Sequence, residues 1–86
     1  MLFDKGEVRQ VGIEVINQLG RDFIIEAVDY EIIRSTGEII LKGYATVEGH
    51  KILTLFSATE TGDFYCIFTY RVAAEILKAK IYIQVR

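Results

Sequence analysis

The stretch "FYCIFTYRVAAEILKAKIYIQVR", residues 64–86, decides how this chain folds. Both of its ends alternate. Phe64, Cys66, Phe68 and Tyr70 share one parity, against Tyr65, Ile67, Thr69 and Arg71. At the far end Leu77, Ala79, Ile81, Ile83 and Val85 oppose Lys78, Lys80, Tyr82, Gln84 and Arg86. Successive side chains of a strand point to opposite faces, so both runs read as half-buried strands, the last with a charged outer face. The middle reads differently. "RVAAEILKAK" is rich in helix formers, and Val72, Ile76 and Leu77 sit near helical spacing. A helical turn at 72–77 is therefore the competing reading, while the regular alternation after Leu77 argues against a longer helix.

Working back from this stretch, the same period of two recurs. "RQVGIEVI" puts Val11, Ile13 and Val15 on one side, and "KILTLF" is a short β-rich run. In "EIILKGYATVEG", Ile39, Leu41, Ala45 and Val47 oppose Ile40, Lys42, Tyr44 and Thr46. "DFIIEAVDYEII" breaks phase: Phe23, Ile25 and Ala27 have one parity, Val28, Tyr30 and Ile32 the other. A β-bulge near Glu26–Val28 turns both sets inward; the alternative is a flat strand buried on both faces. Turn signals at "NQLGRD", "RSTGE", "EGHK" and "SATETGD" separate the runs, with a two-residue turn expected at Gly49–His50. Strands are expected near 7–16, 22–33, 38–47, 51–57, 63–71 and 77–86. The expected inward set is Val11, Ile13, Val15, Phe23, Ile25, Tyr30, Ile32, Leu41, Ala45, Val47, Leu53, Leu55, Phe64, Cys66, Phe68 and the Leu77–Val85 alternation.

The fold class is all-β. The 86 residues make one small domain, 1–86, that is 51% hydrophobic and 26% charged, which a globular core requires. A net charge of −2 with scattered lysines and arginines argues against non-specific nucleic-acid binding, which needs a basic patch. The start, "MLFDKGEV", shows no basic segment followed by an apolar stretch, and no apolar run approaches a membrane span; the expectation is synthesis in the cytoplasm without a membrane anchor. One cysteine makes no intramolecular disulfide. A domain this size buries only about 60% of its unfolded surface. With no disulfide or metal staple in view, either the core is unusually apolar or association adds burial.

No constellation for chemistry stands out. His50, the single histidine, falls in a turn beside Gly49, with Glu48 the only near carboxylate, and reads as a solvated turn residue rather than a metal ligand. Ser35 and Ser57 are loop residues with no relay around them. The acidic residues are spread evenly, there is no glycine-rich phosphate loop because the glycines of "GRDF" and "STGE" are hairpin glycines, and Cys66 reads as a small buried hydrophobe. No enzyme, cofactor or metal site is expected.

"ETGDFYC", residues 60–66, resembles strand F of immunoglobulin domains through Glu60, Gly62, Phe64 and Cys66. In that family the acidic residue and the glycine shape the corner before the strand, a Tyr hydroxyl ties it down and the Cys pairs with strand B. Here Phe64 has no hydroxyl, Cys66 has no partner and there is no Trp. What the resemblance implies is an immunoglobulin-like sandwich of about six or seven antiparallel strands. Residues 22–86 also resemble small immunoglobulin-like proteins encoded among bacteriophage and prophage structural genes. The shared features are an aromatic-Ile-x-x-Ala opening with Tyr soon after, a Gly hairpin, a Gly-x-aromatic corner before "FTY" and an alternating last strand. This resemblance implies a virion or assembly role in the head, the head–tail joint or the tail, with protein partners and a place in the virion.

If the parities hold, Ile16, Ile24, Ile33, Ile40, Tyr44, Tyr65, Ile67 and Tyr82 point away from the core. Grouped on neighbouring strands they would form a patch large enough to mean an interface for self-association or a larger assembly. Ile40, Tyr44, Tyr65, Ile67 and Tyr82 are the candidate interface residues. The bland alternative is that some of them are core. The competing function is a ligand-binding β domain, with Tyr44, Tyr65 and Tyr82 stacking sugars or single-stranded bases in a barrel-like fold.

Overall fold

The alternating sequence builds two sheets. A computed structural model describes residues 1–16 and 23–86 and gives, among them, strands β1 (Leu2–Phe3), β2 (Val8–Glu14), β3 (Ile25–Arg34), β4 (Ile39–Tyr44), β5 (Thr46–Glu48), β6 (Lys51–Ser57), β7 (Gly62–Val72) and β8 (Glu75–Val85). The "NQLGRD" turn and the expected start of the second strand at residue 22 lie outside the described residues. The five-stranded sheet runs β1-β8-β7-β3-β4 and the three-stranded sheet β2-β6-β5. All neighbours are antiparallel except β1, which lies parallel to the end of β8. The result is an all-β, sandwich-like fold.

The deciding stretch is a hairpin. β7 and β8 pair without a break from Gly62↔Val85 to Val72↔Glu75. Ala73 and Ala74 make the turn, so the helical alternative at 72–77 falls. Ala73 takes φ +54°, a left-handed conformation that a tight hairpin loop demands and that an alanine adopts at a cost. The turn at Gly49–His50 is as expected, with Gly49 at φ +61° and Glu48 paired to Lys51.

The phase break in β3 is a bulge. Its register against β7 shifts between Glu26 and Asp29, and Ala27 sits at φ +53° with its side chain in solvent. Ile25 and Val28 are both buried as a consequence. The bulge also ends the pairing with β4. Asp29↔Tyr44 is the last pair, and the Ala45 N–H donates to the Val28 carbonyl at 3.2 Å. The chain then crosses to the other sheet, where Thr46–Glu48 pairs with β6. The single strand expected over 38–47 is thus two strands in two sheets, divided at Ala45.

One apolar cluster joins the sheets. The five-stranded sheet contributes Phe3, Ile25, Val28, Ile32, Phe64, Cys66, Phe68, Ile83 and Val85; the three-stranded sheet contributes Val11, Ile52 and Phe56, with Ala58 just beyond. Phe56 is the bridge, edge-on to Phe3 at 5.1 Å and tilted on Phe64 at 6.0 Å. The Arg9 guanidinium closes one end, 4.1 Å above the Phe3 ring.

Six residues expected inside, Leu41, Val47, Leu53, Leu55, Leu77 and Ala79, neither belong to this cluster nor pack against it; Leu77 and Ala79 are half-buried toward the turn end of β8. Leu53 and Leu55 face away, because β6 turns Ile52 and Phe56 inward; Leu55 is 60% exposed. Both parities of "KILTLF" are apolar, so periodicity could not choose between them. Leu41 and Val47 pair with the buried Ile32 and Ile52 but lie on the edge strands β4 and β5, with no strand beyond to cover them. The sequence reading also missed Phe3, Ile52, Phe56 and Ala58. Phe3 lies in a two-residue strand too short to show a period.

Candidate functional site: the outer face of the five-stranded sheet

Cross-strand pairing sets the outer face row by row, since residues directly opposite point to the same side. One row runs Ile39–Ile33–Tyr65–Tyr82 across β4, β3, β7 and β8. The next runs Lys42–Glu31–Ile67–Lys80, and the third Tyr44–Asp29–Thr69–Lys78. The first row is wholly apolar or aromatic and continues downward through Ile67, on a face where alternation ordinarily places polar side chains.

Of the candidate interface residues, Tyr65, Ile67 and Tyr82 are brought together. The rings of Tyr65 and Tyr82 lie 5.6 Å apart at 47°. Lys80 places its Nζ 4.1 Å from the Tyr65 ring centre, a cation–π contact that covers one face of that ring. The Tyr82 hydroxyl donates to Asp63 Oδ1 at 2.5 Å. That bond, together with burial and the negative carboxylate, raises the Tyr82 pKa above its ordinary value. The pairing thus gives Tyr82 a fixed orientation.

Tyr44 is on the same face but two rows away, roughly 14 Å along the strand direction; it is 91% exposed. With Asp29, Tyr30, Glu31, Lys42 and Gly43 it lines an open cleft of about 330 Å³ on β3 and β4. Ile40 is elsewhere. It is the extra residue where the β3–β4 register shifts between Ile32 and Ile33, and it lines the inter-sheet margin with Phe56 and Phe64. Of the two residues that complete the apolar row, Ile33 was visible in the sequence only as one of a longer list of outward apolars, and Ile39 was grouped with the opposite parity of Leu41, Ala45 and Val47. Their adjacency depends on the bulge at Ile40.

The charges of this face are sorted by strand. Lys78 and Lys80 stand on β8, Asp29 and Glu31 on β3, with β7 between them. Glu31 approaches Lys42 at 3.8 Å, and farther along Arg71 binds Glu26 at 2.7 Å.

The corner at "ETGDFYC" is held by other means than a tyrosine hydroxyl. Gly62 takes φ +135°, and Glu60 accepts from Arg34 Nη2 at 2.7 Å. The Glu60 hydrogen bond is the chief reason the Arg34 pKa is raised. Cys66 is buried, and loss of solvation pushes its thiol up to about 12, so it stays a protonated, unreactive packing group at neutral pH. His50 is not the solvated turn residue expected: it is half-buried and stacked on Phe23, ring centres 4.1 Å apart and 11° from parallel. Among the described residues no group of three or more His, Cys, Asp or Glu could hold a metal ion, and no helix is long and apolar enough to cross a membrane.

No protein-family model matches the sequence, and comparison with curated proteins finds no match.

Proposed function

We propose that this chain is a non-enzymatic, immunoglobulin-like interaction module that binds protein through the outer face of its five-stranded sheet, as a part of a larger assembly. The observation that carries this reading is the Ile39–Ile33–Tyr65–Tyr82 row with Ile67 beneath it, a continuous apolar strip on a solvent-facing sheet. Strips of this kind, rimmed by charge, suit protein contacts, in which aromatic residues dominate the binding energy. The immunoglobulin-like assignment is supported by strand order. β8-β7-β3 follows the G-F-C order of that fold and β2-β6-β5 its B-E-D order. The resemblance to phage and prophage structural proteins makes a virion or its assembly the setting, in the head, the head–tail joint or the tail.

The ligand-binding alternative is weaker for a specific reason. Lys80 covers Tyr65, and Tyr44 stands two rows away, so the three tyrosines form no shared stacking platform. The test is a photo-crosslinking amino acid placed at Tyr65 or, as the contrast, at Leu55 on the other sheet, in the native host. Protein adducts from position 65 and none from position 55 are expected; equal yields, or none from either, overturn the reading.

A further inference from the structure

We propose that the partner of this face is a second copy of the chain, docked about a two-fold axis that runs along β7. The inference rests on the interaction face argued above and adds its occupant and geometry.

Two sheets that pack face to face lie about 10 Å apart with their strands close to parallel. For two copies of one sheet, the two-fold axis then lies either along the strands or across them. The sorted charges decide between these. An axis across the strands lays each strand over its own copy run in reverse, so an axis crossing at the Lys80 and Lys78 rows sets the β8 lysines of the two copies against each other, and Asp29 and Glu31 against like charges. An axis along the strands exchanges the two sides of the sheet. β8 and β3 are the two neighbours of β7, so an axis on β7 lays β8 of one copy over β3 of the other. The rows then match without slippage. Lys80 meets Glu31, Lys78 meets Asp29, and Tyr82 meets Ile33, because each pair shares a row in the register. Tyr65 and Ile67 lie on the axis and meet their own copies. Every contact off the axis occurs twice, as a closed two-fold interface requires. The usual crossing angle of about 30° between packed sheets is met by tilting the axis about 15° from β7.

The same arrangement gives the small domain extra burial. The apolar row is covered at the centre and the ion pairs stand at the rim, where they set orientation more than affinity.

Analytical ultracentrifugation over a concentration series reads the outcome. The wild-type chain is expected to dimerise, less tightly at high salt. Lys78→Glu with Lys80→Glu is expected to raise the dissociation constant about tenfold or more, and Asp29→Lys with Glu31→Lys to do the same. Mixing the two charge-reversed chains is expected to restore a heterodimer, since both the reversed and the unreversed contacts are then complementary. All variants carry their changes on an exposed face, and circular dichroism checks that they fold. A short bismaleimide is expected to link copies of Ile67→Cys but not of Leu55→Cys, with buried Cys66 unreactive in both. Failure of the mixture to dimerise, or equal linking at 55 and 67, overturns the geometry. A wild-type chain that stays monomeric while a crosslinker at position 65 captures a different protein overturns the second copy and leaves the interaction face standing; a monomer with no adduct at 65 overturns both.

Discussion

The two sheets differ in how they divide apolar residues between their faces. The five-stranded sheet is apolar inside, through Phe64, Cys66 and Phe68, and carries an ordered apolar row outside, through Ile33, Tyr65 and Tyr82. The three-stranded sheet gives the core only Val11, Ile52 and Phe56, and its outer apolars, Val8, Leu53 and Leu55, are local. Leu53 folds over Gly12, where a Cβ would come within 2.3 Å of Leu53 Cδ2 and 2.7 Å of the Ile52 carbonyl oxygen. An exposed leucine is ordinary when it packs on its own sheet; an apolar row spanning four strands is not. The comparison teaches that the arrangement of outer-face residues, rather than their number, marks a contact surface.

The largest effect expected from breaking this comparison lies inside. Phe56→Ala removes the ring that joins the sheets and is expected to cost about 3–5 kcal/mol in denaturant unfolding. Leu55→Ala, one residue away but facing out, is expected to cost less than about 0.5 kcal/mol. Similar losses for the two would reverse the facing of β6.

Next is Gly12→Val, which drives a side chain into Leu53 and the β6 backbone. A loss of about 1–3 kcal/mol is expected in the same assay. No loss would mean that the two strands separate freely at this point.

The pH response sharpens the comparison from the wide sheet's inner face. The Cys66 thiol ionises near its ordinary value of 9.0 when unfolded and only at about 12 when folded. Its raised pKa leaves stability intact below pH 9 and removes it as pH climbs toward 12, because the unfolded chain releases its proton first. Thermal melts of the wild type are therefore expected to fall more steeply above pH 9 than those of Cys66→Val. Parallel curves would show that the thiol is solvated.

The smallest effect is a gain. Ala27 and Ala73 both hold positive φ, at +53° and +54°. Ala27→Gly and Ala73→Gly are each expected to stabilise by about 0.5–1 kcal/mol, the left-handed strain relieved outweighing the entropy added to the unfolded chain. Circular dichroism melts check this, and a loss at Ala27 would show that the bulge depends on its methyl group.

Much of this was legible in residue order. The phase break in "DFIIEAVDYEII" predicted a bulge that the register places between Glu26 and Asp29. The alternation of residues 64–71 and 77–85 predicted the hairpin arms, and Gly49 predicted a tight turn. Tyr65, Ile67 and Tyr82 were correctly set on the outer side. The strand switch at Ala45 was not legible, because it follows from the β3 bulge ending a ladder on a different strand. Nor was the separation of Ile40 from the tyrosines, which depends on a single extra residue in β4.

By itself the sequence determined which side chains oppose one another within a strand, since a period of two follows from the backbone alone. The tertiary structure decided which of two apolar parities is buried in β6, that Leu41 and Val47 lie at uncovered edges, and that Ile33, Tyr65 and Tyr82 form one row. Those outcomes depend on strands distant in the chain, whose pairing brings together residues that no local pattern relates.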